Sequence, residues 1–107
     1  MTDRTPYWIE VDGVAVPATL EQWAATRSRC HVGDDQAGGY RVSTVFLGID
    51  HAFPSGELPV LYETMVFGAG EYDQWYDRYH TRAEAAAGHA RVLAALACGG
   101  ALPGDEE

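Results

Sequence analysis

Glu63, His89 and His51 are the residues of this chain whose types could do chemistry together. Glu63 stands within VLYETMVF, residues 60–67, at the same parity as Leu61, Met65 and Phe67. A strand would therefore put its carboxylate on one face with hydrophobes, the kind of local inconsistency that function sometimes causes. Glu63 could act as a general base with His89 as its partner, and Asp50-His51 could project from the preceding loop toward the same end of the sheet. The same three residues form a zinc-compatible ligand set, although the chain has no HxH, HExxH or paired-cysteine motif.

A structural reading competes with the catalytic one. His89 lies on the apolar stripe of a helix with Ala85, Val92, Leu93 and Leu96. If that stripe packs on the Leu61/Glu63/Met65 face, a buried His89–Glu63 hydrogen bond would satisfy two polar groups at once. Gly88 costs the helix interior about 1 kcal/mol relative to alanine, and it would let the helix approach a strand closely. Cys30-His31 is a poor nucleophile–base pair, because neighbours on an extended chain point apart. The glycines of Gly68-Ala69-Gly70 match no phosphate loop, and no cofactor is expected.

The elements that must position these residues follow from turn and cap signals. Tyr7–Val11 and Val14–Val16 flank Asp12-Gly13, which supplies the positive φ angles of a two-residue hairpin. Thr19 and Gln22 make a capping box for a helix over residues 20–28. Residues 31–39, HVGDDQAGG, read as a polar loop. Arg41–Ile49 and Val60–Phe67 read as strands, and Trp75–His80 as a third. Thr81 and Glu84 form a second capping box, opening a helix that runs to about Ala97 and stops at Gly99-Gly100. The order β-β-α-β-β-β-α, with short connections, predicts an α+β fold: a small antiparallel sheet with two helices on one face. Residues 1–98 would form the domain and residues 99–107 a flexible acidic tail.

Charge and composition narrow the function classes. Sixteen acids against seven arginines give a net charge of −9, which repels nucleic-acid backbones and anionic membranes. The longest apolar runs are strand-length, so no transmembrane helix is expected, and the first residues lack a secretory h-region. The chain should stay in the cytoplasm, with Cys30 and Cys98 as free thiols. Both faces of the long strands are partly apolar. A face left uncovered is a candidate interface, most simply for a homodimer. Tyr72, Trp75, Tyr76 and Tyr79, interleaved with acids, are candidate interface anchors, since four large aromatics exceed what one strand face can bury.

Thr44–His51 (TVFLGIDH), Glu63–Phe67 (ETMVF) and Tyr79–His89 (YHTRAEAAAGH) together resemble small uncharacterised proteins of actinobacterial phages, prophages and their hosts. The resemblance covers about half the chain and leaves out the N-terminal hairpin and helix. It departs where a Trp-Glu commonly follows the threonine, since Arg82-Ala83 stand here. What it implies is a phage-associated accessory protein, in the host cytoplasm, with no defined activity. It also places His51, Glu63 and His89 at motif positions. Two expectations therefore stand side by side. One is an interaction protein that binds an unidentified protein through an acidic, aromatic-bearing surface. The other is a small-ligand binder or an acid–base or metal-dependent enzyme built on His51, Glu63 and His89.

Overall fold

A computed structural model describes residues 5–25, 31–54, 56, 58–99 and 102. The chain opens with the hairpin its turn residues dictate: β1 (Trp8–Val11) pairs antiparallel with β2 (Val14–Pro17). Asp12 and Gly13 both adopt positive φ, 52° and 80°, the geometry whose twist matches that of the flanking strands. Helix α1 (Leu20–Ala25) follows, with its capping box formed in both directions. The Gln22 amide donates to Thr19 Oγ1 (3.1 Å) and the Thr19 amide to Gln22 Oε1 (2.9 Å). The remaining predicted turn of this helix, and Cys30, lie outside the described residues.

The second sheet is a four-stranded antiparallel meander. Its strands are β3 (His31–Ala37), β4 (Tyr40–Phe46), β5 (Tyr62–Gly68) and β6 (Tyr76–Tyr79), in that spatial order. The α+β class, its antiparallel pairing and its two helices are as expected, with β3 added where a loop was read. A two-residue turn explains β3: Gly38 and Gly39 take φ of 59° and 83° and set Ala37 opposite Tyr40. At Gly38 a Cβ would also collide with the carbonyl oxygen of Leu96, so the turn tip presses directly on the last helix. β4 is shorter than expected. It ends at Phe46, and Gly48 (φ 77°) redirects the chain so that Ile49 bridges to Tyr7.

Helix α2 (Arg82–Ala97) covers one face of this sheet. Thr81 caps it, accepting from the Glu84 amide at 3.1 Å, while Glu84 Oε1 reaches back to the His80 amide at 3.0 Å. Its buried stripe is Ala85, Gly88, His89, Val92 and Leu96. Val92 and Leu96 pack with Val42 and Val66, and Ala85 packs with Leu61, Tyr62 and Tyr79. The other helix does not share that face: α1 lies against β1, and its Trp23 ring sits tilted against that of Tyr7, just before the strand, with centroids 5.4 Å apart. Glu10 of β1 fastens the hairpin to the rest, accepting from the Tyr62 hydroxyl (2.6 Å) and from Arg82 (3.0 Å).

The C-terminal end departs from the expected tail. Gly99 takes a left-handed φ of 73°, and Leu102 returns to the core fully buried, among Val42, Val66, Val92 and Leu96. The domain thus includes Leu102. Residues 103–107 lie outside the described residues.

Candidate functional site

The three residues first singled out go to three places. α2 packs on the face of Val42, Thr44, Thr64 and Val66, so period-two alternation sends Glu63 to the opposite face. There Glu63 is half-buried and accepts from Arg78 Nε at 3.0 Å, its neighbour across β6. The expected Glu63–His89 pair is not formed. His51 is exposed in the turn after the Ile49 bridge, and its companion Asp50 is structural. Asp50 is buried, with Oδ1 accepting from the Ala52 and Val60 amides at 2.8 and 2.9 Å, which closes the 50–60 loop. Among the described residues no three His, Cys, Asp or Glu side chains converge as a metal site.

His89 meets a different set of partners, contributed by four strands and invisible in local sequence. Nε2 lies 2.8 Å from Asp35 on β3, and Nδ1 lies 2.7 Å from Thr44 Oγ1 on β4. Thr44 in turn contacts Thr64 Oγ1 on β5 at 2.5 Å, and the Tyr79 hydroxyl on β6 donates to Thr64 at 3.1 Å. The protons in this chain run one way. The Asp35 carboxylate only accepts, so Nε2 points a proton at it. At the far end Tyr79 donates to Thr64, which frees the Thr64 proton for Thr44 and the Thr44 proton for Nδ1. Every hydroxyl in the series has both a donor and an acceptor role filled, apart from the terminal tyrosine.

Two glycines make room for it. A Cβ on Gly33 would come within 2.5 Å of His89 Nε2, and one on Gly88 within 2.5 Å of the Tyr79 ring. The close approach expected of Gly88 is therefore to Tyr79 on β6. Gly33 was the missed signal, since a small residue two positions before Asp35 is what lets an imidazole lie over an edge strand.

Asp35, His89 and Thr44 are the residue types of a hydroxyl–imidazole–carboxylate triad, but the hydroxyl is in the wrong place for one. Thr44 and Thr64 are both 0% exposed, so no substrate carbon can reach either oxygen. Only the Asp35 end meets solvent. The chain ties β3, β4, β5, β6 and α2 together and specifies their register.

Burial holds the Tyr79 phenol above its ordinary range, with Asp77 adding to the effect and Thr64 and Arg91 opposing it. Below about pH 10 folded and unfolded chains both carry the neutral phenol, and above it the unfolded chain loses the proton first. Stability should therefore fall as pH rises past that point. Urea unfolding at about pH 8 and about pH 11 should show a smaller drop in Tyr79→Phe than in the parent. An equal drop in both would mean that Tyr79 is not the group responsible.

The opposite sheet face is open among the described residues. It carries Val45, Met65, Phe67 and Tyr76, with Phe67 and Tyr76 39% and 54% exposed. Arg41 lies over the Phe67 ring at 5.8 Å and Arg78 over the Tyr76 ring at 4.8 Å. Each arginine also holds an acid: Arg41 makes a two-point contact with Asp34, at 3.0 and 2.8 Å, and Arg78 holds Glu63. The Arg41 guanidinium keeps the Asp34 carboxyl below the usual carboxylate range.

Of the four aromatics proposed as interface anchors, Tyr76 alone lies on this face. Tyr79 is buried, and Tyr72 and Trp75 pack half-buried on the Val42/Val66 cluster. No helix of the described residues is long and apolar enough to cross a membrane. No protein-family model, no curated protein and no solved structure matches this chain.

Proposed function

We propose that this protein works by binding a protein partner through its open sheet face, and not by turning over a small molecule. One observation supports this above the rest. The apolar side chains Met65, Phe67 and Tyr76 sit side by side on a face that no described element covers, each ring stacked by an arginine already oriented by its acid. Rings held in place this way lose little conformational freedom on binding, which is what makes aromatics and arginines effective anchors. The His51/Glu63/His89 enzyme reading loses its support, because the three side chains are dispersed and the hydroxyls bonded toward His89, on Thr44 and Thr64, are out of reach of solvent. The resemblance of residues 44–51, 63–67 and 79–89 to phage-encoded accessory proteins, which carry no defined activity, accords with a binding role.

A photo-crosslinking phenylalanine analogue placed at Phe67, and separately at the exposed hairpin residue Val14, tests this in the expressing cell. A protein captured from position 67 and not from position 14 should bind the purified chain. Phe67→Asp should weaken that binding at least about tenfold, the loss of one well-packed anchor. Capture that is equal at both positions, or binding indifferent to Phe67→Asp, would end the proposal.

A further inference from the structure

We infer that the occupant of the open sheet face is a second copy of this chain, stacked face to face as a weak, reversible dimer. The inference rests on the binding reading above and names its partner.

Charge carries the argument. The chain's net charge is −9, so two copies repel over most of their surface. The open face is the exception. Asp34 and Glu63 are matched on it by Arg41 and Arg78, both pairs formed within one chain. Those four charges sum to zero, so the whole −9 is carried by the remaining fourteen acids and five arginines. A basic partner would be drawn to the rest of the surface and would gain nothing from this face. A copy of the same chain meets least repulsion here, and a two-fold axis would present the same charge-matched patch from both sides.

Area sets the strength. Four strands at about 4.8 Å spacing and seven residues at about 3.3 Å each give a face on the order of 400 Å² in projection. Doubled and corrugated, that reaches only the lower end of specific interfaces, near about 1,000–1,200 Å² in total. Interfaces of this size include the weak, transient ones, so monomer and dimer are expected to exchange over a concentration range that can be sampled directly. The apolar centre, Met65 between Ser43 and Tyr76 with Phe67 next along the strand, suits stacking of two aligned sheets.

Sedimentation equilibrium of the full chain, over about 1–500 µM and at two salt concentrations, tests it. The expected result is an average mass rising from 11.6 kDa toward twice that value. The association should tighten as salt screens the −9 charges, whereas a complex with a basic protein would loosen. Phe67→Asp and Tyr76→Ser should each weaken the dimer about tenfold or more while leaving circular dichroism unchanged, and Val14→Asp should not. A chain that stays monomeric at every concentration, or a dimer broken by Val14→Asp and not by the face variants, overturns the inference. If the chain is monomeric but crosslinks a different protein from position 67, the binding reading stands and only the identity of the partner falls. If neither a dimer nor a crosslinked partner is found, both fall together.

Discussion

Replacing His89 by alanine should cost the fold about 3–4 kcal/mol, a large part of the stability of a domain this size. Two effects add. The imidazole is 9% exposed and packed over Gly33, so its removal leaves a void that the strand below it cannot fill. Thr44 also loses its acceptor, and a fully buried hydroxyl with nowhere to donate costs about 1–3 kcal/mol. The comparison that separates these effects is a double-mutant cycle by urea denaturation. Thr44→Val alone should cost about 1–2 kcal/mol, because it strands the Thr64 proton and His89 Nδ1 together. The pair Thr44→Val with His89→Leu should be less damaging than the sum of Thr44→Val alone and His89→Leu alone by about 1–2 kcal/mol, since both partners then become apolar. Strict additivity would show that the Thr44–His89 contact carries no energy. Hydrogen exchange adds a spatial check: the amides of β3 should lose protection first, because Asp35 on that strand is bonded to His89 on the helix.

Leu102→Ala is the second large effect, at about 2–4 kcal/mol, the range for a fully buried leucine in contact with other core side chains. Leu58→Ala provides the matched control, as Leu58 is 60% exposed and its truncation should change stability by less than about 0.5 kcal/mol. Ending the chain before Leu102 should lower the urea midpoint as much as Leu102→Ala or more. Equal stability of the shortened and full chains would return residues 99–107 to the status of a tail.

What the sequence discloses and what it hides divide along a physical line. Features written into neighbouring residues are legible. Asp12-Gly13, Thr19 with Gln22, and Thr81 with Glu84 each act within four positions, and each forms as its chemistry requires. The α2 stripe is likewise legible, because Ala85, His89, Val92 and Leu96 recur at helical spacing and all four are buried.

Features that depend on a distant partner are not legible. β3 shows no clear hydrophobic alternation: only Val32 and Ala37 join the apolar clusters, and Gly33 and Asp35 between them face an imidazole on the distant α2. The Gly38-Gly39 pair was its one local signal, a two-residue turn that needs a strand on each side. Glu63 shows a related limit. Alternation separates the faces of β5 but does not say which face a helix will cover. The covered face carries Thr44 and Thr64, which makes it look more polar than the open one bearing Met65 and Phe67. Leu102 lies after the helix-stopping glycine in a sequence that ends acidic, and nothing local marks its return.

The adjacent carboxylates at the centre of β3 also bear on how the protein avoids ordered aggregation. β3 is one of the two edge strands of its sheet, and a free edge is a template on which further strands can grow. Here the edge bears Asp34 and Asp35, and its register slips by a bulge between His31 and Gly33. A second β3 laid alongside would bring four carboxylates within two strand spacings and would meet an irregular ladder of amides. Lateral sheet extension is thereby discouraged at its starting point. At the β3 edge growth without end is therefore opposed, whereas stacking of two open faces ends at two copies.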